Sequence, residues 1–249
     1  QQNSTPSPSK STCRKCSAEL LNFPEHQHGM CLVCLKEQVR QQRTEGVPLI
    51  LQADYRIPTH FQNMDWKLSE AVAPYLDLNR GLCLVGLVGR GKTADLCLLA
   101  RDWLLRWVRE AEISDEEIAY SRVQDRPLEN TWRFISFPAL VMELQDAWRR
   151  EETEETALAL LKRAARIPRL IIDDLGAEKL TDYVRQATYY LINEREQWDR
   201  VTYITSNYPL KDLDRQLDCR ISSRIAGMCD IKALKGEDLR LRKIPRQEP

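Results

Sequence analysis

The chain has 249 residues, 43% of them hydrophobic and 30% charged, with 37 basic residues set against 37 acidic ones. That length accommodates one domain of about 200 residues plus a minor one. Zero formal charge gives no global field for nucleic acid, and the longest apolar runs, 82–88 and 170–172, fall far short of the roughly 20 residues of a membrane helix, so membrane classes are excluded and a soluble, cytoplasmic protein is expected.

Residues 1–12 are polar and rich in Ser, Pro and Gln, which predicts a disordered lead-in without the apolar stretch of a secretory signal. Residues 13–46 carry Cys13-x-x-Cys16 and Cys31-x-x-Cys34, separated by 14 residues, and then a polar helix. Each Cys-x-x-Cys turn aims two thiolates at one ion, and four soft ligands at tetrahedral positions select Zn²⁺. About 35 residues hold too little core to fold alone, so the metal would supply the folding free energy. His26 and His28 lie in the intervening loop as alternative ligands; disulfides are the competing reading, disfavoured where no secretory signal is seen. Cys83, Cys97, Cys219 and Cys229 sit among apolar neighbours and are expected to be buried free thiols. Gly46-Val47-Pro48 punctuates the chain and places a boundary near residue 46, leaving 47–249 as the main domain with a basic C-terminal tail.

From there, strand-like runs alternate with amphipathic helices: 82–85 then 94–110, 134–137 then 139–150, 170–172 then 182–198, and 201–204 then 210–225. The order predicts an α/β fold with a parallel sheet between helices. Residues 111–131 read as a solvated insertion, and 149–156 as an exposed helical charge run.

The first strand runs into Gly86-Leu-Val-Gly89-Arg90-Gly91-Lys92-Thr93-Ala94, a complete G-x-x-x-x-G-K-[ST] loop opening a helix. Its glycines let successive N–H groups face phosphate oxygens, Lys92 would reach the β and γ phosphates, and Thr93 would ligate Mg²⁺. ATP is therefore the expected nucleotide. The strand Arg169-Leu-Ile-Ile-Asp173-Asp174 ends in two acids: Asp173 would hold Mg²⁺, and Asp174 would polarise the attacking water. A strand-end helix cap is the competing reading for both. The strand ending Thr205-Ser-Asn207 would bring Asn207 to the level of the γ phosphate; a turn-forming Asn before Tyr208-Pro209 explains it equally well by local sequence.

With these strands in order, residues 47 to 244 resemble the DnaC/IstB branch of AAA+ ATPases, the helicase loaders and transposition helpers that are similar to the initiator DnaA. The pieces are Tyr55-Arg-Ile-Pro58, the phosphate loop, Phe134-Ile-Ser-Phe, Ile172-Asp-Asp-Leu-Gly176, Leu191-Ile-Asn-Glu-Arg195, Thr205-Ser-Asn207, Arg220-Ile-Ser-Ser-Arg224-Ile and Gly236-Glu-Asp-Leu-Arg240. The resemblance implies that Asn207 is a phosphate sensor, that Arg224 is an arginine finger acting on a neighbouring subunit's ATP, that Arg240 is a second sensor on the nucleotide, and that Arg195 is a further intersubunit contact. Solvation of Arg220 and Arg224 on a polar helix face is the plain alternative. The loaders usually carry Asp-Glu where this chain has Asp173-Asp174, which implies slow hydrolysis.

DNA contacts in this branch map to Trp148, Thr181 and Tyr183, and aromatic stacking on a single strand is independent of sequence. Trp148 also completes an apolar helical stripe with Leu140, Val141 and Leu144, so core packing competes with DNA contact. The resemblance implies a loader that places a DnaB-type hexameric helicase on single-stranded DNA, working as a homo-oligomeric open spiral or hexamer, with the zinc module gripping the helicase. An IstB-like helper that binds duplex DNA and recruits a transposase is the alternative. A zinc-dependent nucleotide-switched adaptor and a metabolic P-loop kinase are further from the residues, since the kinase leaves Asn207 and Arg224 without a role.

Overall fold

The computed structural model describes residues 12–17, 30–62, 64–113, 131–149, 154–177 and 181–239, with the side chains of 147–149 and 154–157 outside that description. Two compact units are distinguished, residues 1–47 with 104–126, and residues 48–103 with 127–249. No helix among the described residues is long and apolar enough to cross a membrane.

The second unit is built on a five-stranded parallel sheet of β1 (Gly81–Val85), β2 (Trp132–Ser136), β3 (Arg169–Asp173), β4 (Val201–Ser206) and β5 (Cys229–Ala233), in the order β2-β3-β4-β1-β5. β1 and β4 are buried along their whole length, as strands covered on both faces must be. Register is fixed by pairs such as Leu84 with Thr205 and Ile172 with Ile204. Trp132 is buried and stacks on Tyr203 of β4 with ring centroids 5.0 Å apart and planes 6° off parallel.

The helices are α1 (Leu32–Ala53), α2 (Thr59–Gln62), α3 (Lys92–Glu110), α4 (Phe137–Arg149), α5 (Glu154–Arg166), α6 (Asp182–Gln197), α7 (Leu210–Gln216) and α8 (Cys219–Met228). Leu140, Val141 and Leu144 of α4, Leu161 and Ala164 of α5, and Leu191 and Ile192 of α6 pack with Leu170 and Ile172 in one apolar core. Each fully buried Leu or Ile contributes roughly 1.5–3 kcal/mol, so this layer anchors β3 against its helices.

Several elements differ from the expectation. Phe137 opens α4 rather than closing β2: Pro138 follows it, and a proline in a first helical turn sacrifices no intrahelical donor. The helix expected over 210–225 is two, divided at Asp218, whose carboxylate caps α8 by accepting from the Arg220 amide at 2.8 Å. The charge run after Arg149 leads into α5, and β5 follows α8 directly. Gly46-Val47-Pro48 lies inside α1, which runs unbroken to Ala53. Cys83, Cys97 and Cys229 are buried as expected, but Cys219 is exposed on the first turn of α8. His26, His28, Arg240 and most of the insertion and the tail lie outside the described residues.

Candidate functional site

A parallel sheet directs the C-terminal ends of its strands to one side, and β1, β3 and β4 end there in Val85, Asp173 and Ser206. The phosphate loop leaves β1 and enters α3 at Lys92. Gly89 adopts φ +79°, and a Cβ there would collide with the carboxylate of Asp238, so both the backbone conformation and the close approach require glycine. The loop is held from the other side as well, because the Leu239 amide donates to Gly89 O at 2.8 Å.

The polar side chains form one connected network. Lys92 Nζ donates to Gly86 O and Leu87 O at 2.8 Å and to Asn207 Oδ1 at 2.9 Å. Asn207 Nδ2 in turn donates to Asp174 Oδ1 at 3.3 Å. Thr93 Oγ1 donates to Asp173 Oδ1 at 2.7 Å, and Thr205 Oγ1 donates to the same oxygen at 2.7 Å while accepting from the Asp174 amide at 2.8 Å. Asp173 is buried, and burial raises its carboxyl above the usual range while the Thr205 and Thr93 hydroxyls pull it back. Asp174 sits at φ +57°, the left-handed region that Asp tolerates better than most residues, which turns its side chain toward Asn207. Thus Lys92, Thr93, Asp173, Asp174 and Asn207 are brought together, with Thr205 as a member that the sequence reading missed.

Lys92, Thr93, Asp174 and Asn207 line a cleft of about 360 Å³ together with His60, Phe61, Met64 and Trp66 and with Gly89, Arg90, Gly91, Ala94 and Leu239. An aromatic and thioether wall opposite a phosphate loop suits the base of a nucleotide. His60 and Phe61 were also missed; the His-Phe pair and Trp66, shortly before the loop, were the available signal. The fit to an anion is supported by Arg90, whose Nη1 is buried with no hydrogen-bond partner among the described residues. Just behind the loop, buried Asp95 accepts from the Ser69 amide at 3.2 Å and from its hydroxyl at 2.8 Å, tying α3 to the segment before β1.

The remaining candidates lie elsewhere. Arg224 is not among the described residues lining this cleft. On α8 it donates through Nε to Asn193 Oδ1 and through an Nη to the Tyr189 hydroxyl, both at 3.0 Å, and it pairs with Glu196 at 3.3 Å. The guanidiniums of Arg220 and Arg224 both lie over the Tyr189 ring, 4.8 and 4.9 Å from its centroid. Arg195 is not an intersubunit contact. It is fully buried and donates five hydrogen bonds, to Thr202 Oγ1 and to the carbonyls of Ala164, Ala165, Ile167 and Val201. Burial pulls it down to about 9, and it acts as a clamp that caps the C-terminal end of α5 and joins it to β4. Thr181 caps α6, accepting from the Val184 amide at 3.3 Å, and Tyr183 is half-buried against the core. The side chain of Trp148 lies outside the described residues.

In the first unit, the four sulfurs of Cys13, Cys16, Cys31 and Cys34 all lie within 4.8 Å of one another. Cys16 Sγ and Cys31 Sγ are 3.5 Å apart, close to the separation of two thiolates on one tetrahedral zinc with Zn–S bonds near about 2.3 Å. The first pair sits on a turn closed by Ser17 N–H to Cys13 O at 2.9 Å, and the second straddles the start of α1. Cys34 lies within the first turn of that helix, and the Cys16 side chain, followed by burial, pushes its thiol up to about 12, so a metal ion would have to displace that proton. A backbone hydrogen bond involving Cys31 leads the pull of the Cys13 thiol down to about 6, so one member of the group gives up its proton readily. This donor set fits Zn²⁺.

No protein-family model matches the chain, and no curated protein matches it in sequence. Among solved structures, DnaI aligns with a TM-score of 0.52 and 20% identity, over 73% of this chain and 93% of that one. AMPPCP-bound DnaA from Aquifex aeolicus aligns with a TM-score of 0.52 and 13% identity, over 74% of this chain and 53% of that one. The DnaC helicase loader covers 79% of this chain and 91% of its own at 21% identity, with a TM-score of 0.43 that carries no further weight. The five-stranded parallel sheet, its strand order and the loop after β1 give this chain the AAA+ ATPase fold that DnaI and DnaA share, preceded by a four-cysteine group able to hold zinc.

Proposed function

We propose that this protein is an AAA+ ATPase that loads a DnaB-type replicative helicase onto single-stranded DNA and hydrolyses ATP between subunits of an oligomer. The observation that supports it most directly is the chain of contacts from Lys92 through Asn207 to Asp174 beside the Thr93–Asp173 pair, at the ends of adjacent strands. In this reading the loop amides and Lys92 hold the β and γ phosphates, and Thr93 and Asp173 hold Mg²⁺. The ion would offset charge on the phosphates. Asn207 orients the Asp174 carboxylate toward water near the γ phosphate. Among the described residues Lys92 and Arg90 line the cleft as cations, and Arg224 from a neighbouring subunit adds a further one at the γ phosphate, so turnover depends on assembly. The loader assignment is supported by the ordered motifs from Tyr55 to Arg240 and by the fold shared with DnaI.

The test is ATP turnover by wild type and Arg224→Ala, alone and with single-stranded or duplex DNA, with ATP binding checked in each. Stimulation by single strands that collapses in Arg224→Ala supports the loader. Stimulation by duplex alone moves the assignment to a transposition helper, and undiminished turnover in Arg224→Ala removes the finger. Co-purification with a DnaB-type helicase, dependent on Cys13, Cys16, Cys31 and Cys34, tests the partner.

A further inference from the structure

A second cleft of about 320 Å³ opens along β2, the edge strand, between it and the helices α4 and α5. It shares no lining residue with the nucleotide cleft. Three guanidiniums reach it from three separate elements: Arg56 from the segment after α1, Arg133 from β2 and Arg163 from α5. Glu143 is the one acid among the described residues that line it, and Phe134 and Leu140 contribute apolar wall.

Three like charges gathered around one partly apolar cleft repel one another; Arg56 and Arg163 keep contact with solvent, and the half-buried Arg133 bears a desolvation cost as well. Arg133 registers both effects: burial lowers it first, then the charges of Arg56 and Arg163. Its Nη1 donates to a backbone carbonyl, Asp54 O, at 3.0 Å, which orients the guanidinium without neutralising it. Arg56 is held at φ +55°, a conformation that costs a non-glycine residue free energy and that accumulates at binding sites. A single carboxylate presents two oxygens to such a group, whereas a phosphate presents three and carries about −1.5 to −2 charges, which matches three forked donors.

We propose that this cleft binds a phosphate oxyanion, with Arg56, Arg133 and Arg163 as its donors, at a site separate from the phosphate loop. The chemistry is shared by two sources, the backbone of a nucleic acid and a free polyphosphate.

The experiment is isothermal titration of inorganic pyrophosphate into the full chain with the phosphate loop saturated by AMPPCP. A further binding event is expected, weakened about tenfold by Arg56→Gln or Arg163→Gln, as loss of one charge-assisted contact predicts, and unchanged by Arg215→Gln, an exposed arginine outside the cleft. A single-stranded oligonucleotide that displaces the pyrophosphate, with a salt dependence reduced by about one ion in Arg163→Gln, assigns the nucleic-acid backbone as the source. Retention of pyrophosphate under excess oligonucleotide assigns the free polyphosphate. Absence of the second event, or equal weakening in Arg215→Gln, overturns the site. The readout is binding rather than turnover, so a failure of the ATPase reading leaves it intact.

Discussion

Thr93 Oγ1 donates to Asp173 Oδ1 at 2.7 Å although the strands that deliver them, β1 and β3, are not neighbours. β4 lies between them, and its Thr205 hydroxyl completes the bridge to the same oxygen. Asp173→Asn should therefore lower turnover by about 10²–10³, the scale of a lost transition-state contact. Thr205→Val should lower it by about tenfold with ATP binding kept, because it frees Asp173 and the Asp174 amide without removing either carboxylate. Steady-state turnover alongside a nucleotide-binding assay separates the two, and loss of ATP binding in Thr205→Val would count against this division of labour.

Arg195→Met should destabilise the second unit by at least about 3 kcal/mol, since several buried carbonyls lose their donor and each unsatisfied group costs about 1–3 kcal/mol. Urea unfolding measures this. An Arg195→Met protein of unchanged stability that failed to assemble would restore the intersubunit role.

Mixing tests whether Arg224 acts across a subunit boundary. Lys92→Ala and Arg224→Ala are each expected to be inactive alone, whereas an equal mixture should recover about a quarter to a half of wild-type turnover if one intact site requires a lysine from one copy and an arginine from the next. A mixture no more active than its components would place Arg224 in structure only, as the partner of Tyr189, Asn193 and Glu196.

Metal analysis should find about one zinc per chain, and Cys16→Ser should lose it. Because the ion supplies the folding free energy of so small a module, chelation should abolish protease resistance around residues 13–34 while leaving ATP binding unchanged. Full retention of that resistance after chelation would argue for a metal-independent fold.

Burial raises Asp95 above its ordinary range despite the two Ser69 hydrogen bonds. With the folded value raised, the neutral acid is the form the fold prefers: its stabilising contribution is complete below the unfolded value of about 3.9 and is lost as pH rises through the folded value. The stability of Asp95→Asn relative to wild type should therefore improve as pH rises across that window. Parallel urea titrations over the acid range read this difference directly, and a gap independent of pH would mean that Asp95 is not the titrating group.

How much of this was legible in the sequence follows from how far each signal reaches along the chain. β1 and β3 carry apolar runs next to polar strand ends, β4 is a β-branched and aromatic run broken by Thr202, and the phosphate loop is contiguous, so short local patterns pointed to all four. β5 was not visible, because Cys229-Asp-Ile-Lys-Ala follows α8 without a turn residue and alternates like a solvated segment. Arg195 was given a subunit contact by the resemblance alone, and the carbonyls of Ala164, Ala165 and Ile167 that let it be buried are distant in sequence, so no local pattern reveals its place. Thr205 is visible in the sequence only as part of the polar end Thr205-Ser-Asn207, because its two partners come from the end of β3. The cleft along β2 combines residues 56, 133 and 163, a spacing that no local pattern records.

The contact of Leu239 with Gly89 makes the end of the described chain a mechanical extension of the phosphate loop. A change that displaces Leu239, such as Leu239→Pro, which removes the donating amide, is therefore expected to loosen Gly89 and weaken ATP binding.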